Sequence, residues 1–117
     1  MTYVKVNEQL YPTVSIMGRI HDFDWDNRDS KYITLNMDYN QAAALFVDDV
    51  QWSIVEEEED QRGRIDGDGN PIIHIYEFDN SEYSVAGNIV GHRDGTVTIA
   101  MGKPTVEELL ALIEEAL

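Results

Sequence analysis

A chain of 117 residues with no cysteine, and with 23 Asp and Glu against 8 Lys and Arg for a net charge of −15, is sized for one domain. It excludes disulfides, thiolate zinc sites and cysteine nucleophiles. So acidic a surface repels phosphate backbones and anionic lipid, so direct binding to nucleic acid or to a membrane is not expected, while a basic protein partner or a divalent cation is compatible with it.

Residues 2–6 (TYVKV) alternate and predict a short strand. Residues 9–20 (QLYPTVSIMGRI) predict a half-buried strand with Val14, Ile16, Gly18 and Ile20 on one face and Thr13, Ser15, Met17 and Arg19 on the other. Pro12 lacks a backbone donor and so belongs at its start, at an edge or in a bulge. Residues 31–37 alternate again, with Ile33, Leu35 and Met37 on the apolar side. A short helix should follow, since Asp38 can cap it, Gln41 has capping-box spacing and residues 42–45 favour helix. Residues 51–55 (QWSIV) return to strand.

Residues 56–71 (EEEEDQRGRIDGDGNP) carry five consecutive acids and three glycines, which predicts a mobile loop or hairpin tip. Residues 72–78 and 82–90 predict strands, and 96–101 closes a hairpin through Arg93-Asp94-Gly95, where Asp-Gly suits a type I′ turn. Residues 104–117 predict a helix. Thr105 and Glu108 form a capping box, and Val106, Leu109, Leu110, Ile113 and Leu117 share one helical face. That face is expected to bury against the sheet, with another subunit or a docking protein as the alternative. The whole predicts a single α+β domain over residues 1–117: a bent, mainly antiparallel sheet of about six or seven strands, one short helix, and a C-terminal amphipathic helix packed on the sheet.

Two acidic stretches have calcium-loop spacing. In HDFDWDNRDSKYITL, Asp22, Asp24 and Asp26 stand at alternate positions as in the start of an EF-hand, but Ile33 falls where a bidentate Glu is needed. In DGDGNP, Asp66, Asp68 and Asn70 repeat the spacing, but Pro71 replaces the turn glycine. The expectation is no cofactor, with calcium the only candidate. His21, His74 and His92 have neither H-x-x-x-H nor H-E-x-x-H spacing, no Ser lies in a G-x-S-x-G elbow, and there is no Walker A or G-x-G-x-x-G sequence, so no catalytic residue is assigned. Trp25 is costly to expose and is expected to fold over the end of the sheet, with Arg28 pairing to a neighbouring acid. Trp25, Arg28 and Trp52 are the candidates for partner contact, since Trp and Arg are enriched at interface hot spots.

The stretches YVKVNEQLYP, GRIHDFDWDNRDSKYITL, FVDDVQWSIV and YEFDNSEYSVAGNIVGHRDGTVTIAMGKPT together resemble a group of small phage- and prophage-encoded proteins of Gram-positive (Firmicutes-type) bacteria, whose genes lie near tail and lysis genes. The resemblance spans most of the chain apart from 56–71 and the far C-terminus. It implies a non-enzymatic accessory protein, a tail-region or virion-assembly interaction module, with a phage structural protein or a host protein as partner. It supplies no active site. The alternative is an acidic DNA mimic that inhibits a host nucleic-acid-binding protein, and a calcium-dependent binding module comes third. The start, MTYVKVNEQL, has no basic stretch leading into an apolar one, and no apolar run reaches the roughly 18 residues of a bilayer span. Cytoplasmic synthesis, with later association with a virion, is the expectation.

Overall fold

Seven strands and two helices follow one another in a computed structural model that describes residues 1–116: β1 (Thr2–Val6), β2 (Gln9–Asp22), β3 (Arg28–Leu35), α1 (Tyr39–Leu45), β4 (Trp52–Glu59), β5 (Ile73–Asp79), β6 (Val85–Gly91), β7 (Val97–Gly102) and α2 (Val106–Ala116). The fold is α+β. All strands join one sheet in the order β5-β4-β1-β2-β3-β7-β6, and every neighbouring pair is antiparallel.

The 14-residue β2 is the hinge of this sheet. Its first residues pair with β1 up to Pro12, opposite Tyr3, and the rest pairs with β3 from Thr13 onward. Pro12 therefore stands where β2 changes partner, outside the β3 ladder. A bulge between Thr13 and Ser15 leaves Val14 as the extra residue, exposed rather than inward as its alternation predicts. The bulge moves the inward phase, so Tyr11, Thr13 and Ile16 share a face with Val4, Leu35 and Ile33. One inserted residue reverses a period-2 pattern, which alternation alone does not reveal.

The core lies on that face. Val4 and Val6 of β1, Trp52 of β4, Ile33 and Leu35 of β3, and Val97, Ile99 and Met101 of β7 pack beneath Ala42 and Phe46 of the α1 region. Asp38 caps α1 by accepting from the Gln41 N–H at 2.8 Å. Trp52 is only 1 % exposed, meets Phe46 edge-on at 6.1 Å between centroids and donates its indole N–H to the Tyr83 carbonyl at 3.1 Å. Its contacts are with its own chain, which corrects the expectation of a partner anchor.

Three further expectations are corrected. The acidic run Glu56–Glu59 is not loop: it extends β4 and pairs with His74, Ile75, Tyr76 and Ile73 of β5, so the hairpin tip is confined to residues 60–72. Backbone pairing with a β-branched and aromatic strand outweighs the low strand preference of Glu. The tip is tied by Asp60, which accepts from Arg64 at 2.9 and 3.0 Å and contacts His74 Nε2 at 3.0 Å. Arg64 above all, then His74, holds the Asp60 carboxyl below its usual range. The β6–β7 turn is not type I′. Within it Gly95 alone has positive φ, at 88°, and it donates to the His92 carbonyl, while Asp94 accepts from the Thr96 N–H and hydroxyl. The Asp side chain thus fixes a turn with a left-handed glycine at its end.

The third correction concerns α2. It does not pack on the sheet: Val106, Leu109, Leu110, Leu112 and Ile113 are between 47 and 72 % exposed, and no residue described in the helix is buried. Leu117 lies outside the described residues. The core face is already closed by α1, and only residues 103–105 separate β7 from α2. The molecule is extended, 59 × 38 × 25 Å, with a radius of gyration of 17.2 Å where about 13 Å is usual for this length.

Candidate functional site

The acidic opening cluster is a turn. Asp22, 3 % exposed, ends β2 and organises the loop that leads into β3. Its carbonyl accepts from the Trp25 and Asn27 N–H groups at 3.1 and 2.9 Å, and Arg28 N–H donates to the Trp25 carbonyl at 3.2 Å. Asp26 and Asn27 between them both have positive φ, 54° and 59°, which Asp and Asn tolerate better than most residues. The Asp22 carboxylate accepts from Asp24 N–H at 3.1 Å, from the Ser30 hydroxyl at 3.0 Å and from the Tyr32 hydroxyl. The Tyr32 bond above all holds Asp22 below the usual carboxylate range, against the opposing effect of burial, with Ser30, the Asp24 N–H and Arg19 adding to it. Burial, then the bond to Asp22, raises Tyr32 in turn.

Asp24 and Asp26 point into solvent, so Asp22, Asp24 and Asp26 do not converge. At the second acidic stretch, Asp66 Oδ1 accepts from the Asp68 and Asn70 N–H groups at 2.8 and 3.0 Å, which makes Asp66, Asp68 and Asn70 a side-chain-closed turn. Among the described residues no three His, Asp or Glu side chains stand together as a metal cage.

Trp25 lies against the face of the sheet opposite the core, over Gly87 of β6 and Gly102 of β7. A Cβ on Gly87 would fall 2.6 Å from the Trp25 ring, and one on Gly102 would fall 2.9 Å from it and 2.6 Å from Arg28 Cδ. These two glycines leave the space that the indole fills. The Arg28 guanidinium covers the ring at 4.7 Å. Arg28 is 5 % exposed, so its charge needs a partner. It donates to Glu108 Oε1 at 2.8 Å, to the Lys103 carbonyl at 3.2 Å and to Asp26 at 3.4 Å, while its Nε is buried without an acceptor. The same Glu108 oxygen accepts from Thr105 N–H at 2.8 Å, closing the capping box. That N–H first, then Arg28, holds the Glu108 carboxyl low.

The buried guanidinium therefore sets the orientation of α2. Two hollows flank the helix, of about 800 and 400 Å³, the first against His21 and residues 26–29 and the second against Asp48, Asp49 and Val85. Both are bounded by Glu108 and Ala111, so this edge of the helix faces the body. Val106 borders the first hollow and Leu112 the second, while the ridge of Leu109, Leu110 and Ile113 is turned away from the body. Phe23, 90 % exposed at the tip of the opening loop, is a second apolar projection. Phe23 was not legible as a contact surface, since an aromatic in a loop ordinarily turns inward, whereas the α2 stripe could be read either as packing on the sheet or as docking a partner.

No protein-family model, curated protein or solved structure matches the chain. Among the described residues no helix is long and apolar enough to cross a membrane.

Proposed function

We propose that the chain is a non-enzymatic interaction module, a phage or prophage accessory protein of the tail region, whose α2 ridge seats in an apolar groove on a protein partner. The observation that carries this reading is the orientation of α2: its polar edge is clamped inward by Arg28 and Glu108, and Leu109, Leu110 and Ile113 face outward. A chain that only needed to fold would gain by turning that ridge inward, at about 25 cal/mol per Å² of apolar surface buried. The ridge is flanked by Glu107, Glu114 and Glu115 with no basic residue in the last turn, so the matching groove is rimmed by Lys and Arg. Helix-in-groove recognition reads residues at i, i+3, i+4 and i+7, the spacing of Val106, Leu109, Leu110 and Ile113. The tail-region setting rests on the sequence resemblance.

The DNA-mimic reading needs acids arrayed along one face. The longest acidic run, Glu56–Asp60, has its first four residues on β4, where they alternate between both faces, which favours the interaction module. The test is binding of purified phage tail-region proteins to the chain and to its Leu109→Asp/Ile113→Asp variant. The expected result is one partner whose binding weakens at least about a hundredfold in the variant, a loss of two hot-spot anchors, and weakens with rising salt. Full binding by the variant would overturn the proposal.

A further inference from the structure

The two free edges of the sheet differ. β6 is bulged between Ala86 and Ile89, contains Gly87 and ends in Gly91. The loop after α1 also occupies it, since Asp48 Oδ1 accepts the Ala86 N–H at 2.8 Å and Asp49 N–H donates to the Ser84 carbonyl at 2.8 Å. These are the devices by which proteins blunt an edge. β5 has no bulge, glycine or covering loop, and its only charged side chains are Glu77 and Asp79. It pairs with β4 over seven residues without a register shift, and it contains no Pro, Lys or Gly. Its outer edge is a row of backbone donors and acceptors flanked by exposed Ile73, Ile75, Tyr76 and Phe78.

We infer that β5 is a self-association edge, pairing antiparallel with β5 of a second copy about a two-fold axis at Tyr76 and continuing the sheet from one copy into the next. The occupant follows from the sequence of the strand. In antiparallel register about Tyr76, His74 faces the second copy's Phe78, Tyr76 faces its counterpart, and Phe78 faces the second His74. His74, Tyr76 and Phe78 share one face, so the axis generates a row of three aromatic cross-strand pairs. His74 and Tyr76 already stack within the chain, 6.4 Å between centroids. On the other face Ile75 meets Glu77, and Ile73 meets Asp79. No acid therefore stands opposite an acid, whereas parallel pairing would set Glu77 on Glu77 and Asp79 on Asp79. Glu77 is also held by Lys5 Nζ at 3.2 Å. Because β6 is bulged and occupied, head-to-tail addition of β5 to β6 is blocked, and the association closes as a dimer instead of growing into a fibre. The surface area agrees. The chain exposes 7998 Å², where about 6,500 Å² is usual for its mass. The excess is of the order that one partner buries in a standard interface, about 800 Å², with the α2 ridge still left over.

The absence of cysteine allows a direct test. In the proposed dimer the two Tyr76 Cα atoms lie about 4.5–5.5 Å apart, within disulfide reach. The two Ile73 Cα atoms are separated by six residues of strand, about 20 Å. Tyr76→Cys is expected to form a dimer-linking disulfide under mild oxidation, and Ile73→Cys is not. Sedimentation of the unmodified chain should show a dimer that tightens as salt rises, because two copies of charge −15 repel and a shorter Debye length relieves this. Ile75→Lys should weaken the dimer by about tenfold or more, while Val90→Lys on the other edge leaves it unchanged. Far-UV circular dichroism confirms that each variant is folded. A monomer at 100 µM (about tenfold above a 10 µM dissociation constant) in low and high salt would overturn the inference, as would a dimer that Tyr76→Cys fails to link. The Leu109→Asp/Ile113→Asp chain should dimerise normally, so loss of partner binding and loss of dimerisation are separately readable, and their salt dependences are opposite.

Discussion

Arg28 and Glu108 stand 80 positions apart in the sequence and 2.8 Å apart in the fold, and their ion pair joins the opening turn to the C-terminal helix. Arg28 carries the Trp25 stack as well as this pair, so Arg28→Ala should cost about 3 kcal/mol, as removal of one partner from a buried pair does. Glu108 is half exposed, and Glu108→Ala should cost about 1 kcal/mol through the lost cap and a solvent-screened ion pair. Denaturant unfolding of the two variants gives both numbers. Hydrogen exchange should show α2 losing protection in Glu108→Ala while β3 and β7 keep theirs.

Trp25 and Gly87 should behave as one unit. Gly87→Ala drives a methyl into the indole and should cost about 1–3 kcal/mol, the range for overpacking. Trp25→Ala, from a half-buried site, should cost about 2–3 kcal/mol. Each nearest atom to a Cβ on Gly87 belongs to Trp25, so the methyl should be nearly free in the Trp25→Ala background. A double-mutant cycle with coupling below about 0.5 kcal/mol would mean that the indole does not rest there in solution.

Asp22 should make stability fall in acid. Its folded-state pKa lies below the unfolded value of 3.8, so its contribution is present above that value and is lost as pH falls through the folded one. Asp22→Asn keeps the shape but removes the charge and places an amide donor against the Ser30 and Tyr32 hydroxyls. The variant should be less stable than the parent by about 1–3 kcal/mol at pH 7, and the gap should narrow steadily below about pH 4. Urea midpoints across pH read this directly. A gap that is the same at pH 7 and at pH 3 (about a unit below the ordinary Asp pKa) would mean that the network does not favour the ionised form.

Calcium at millimolar concentration should shift the melting temperature by less than about 2 °C, the change that about 0.5 kcal/mol of ligand linkage would give in a domain of this size. Asp22 is engaged by Ser30, Tyr32 and the Asp24 N–H, and Asp66 by two backbone donors, so neither is free to join its neighbours around an ion without breaking its own turn. Differential scanning calorimetry with calcium and with chelator checks this. A larger shift that vanishes in Asp24→Ala or Asp68→Ala would locate a site.

Local chemistry in the sequence determined the strands, the caps and the class of fold. Alternation marks β1, β3 and β7, Asp38 with Gln41 marks α1, and Thr105 with Glu108 marks α2, because each signal acts within a few residues through backbone geometry and hydrogen bonding. The tertiary structure decided everything that depends on which surface meets which. The bulge at Val14 reverses a face, and that depends on β2 passing from β1 to β3. Glu56–Glu59 become strand because β5 is there to pair with them. Trp52 goes to the core and Phe23 to solvent, although an aromatic in a polar context reads alike in both places. The amphipathic stripe of α2 showed that an apolar ridge exists, but periodicity carries no information about its direction. A guanidinium buried far away in sequence chose the polar edge of that helix as its partner and left the apolar ridge facing outward, because an unpaired buried charge costs more than apolar surface left in water.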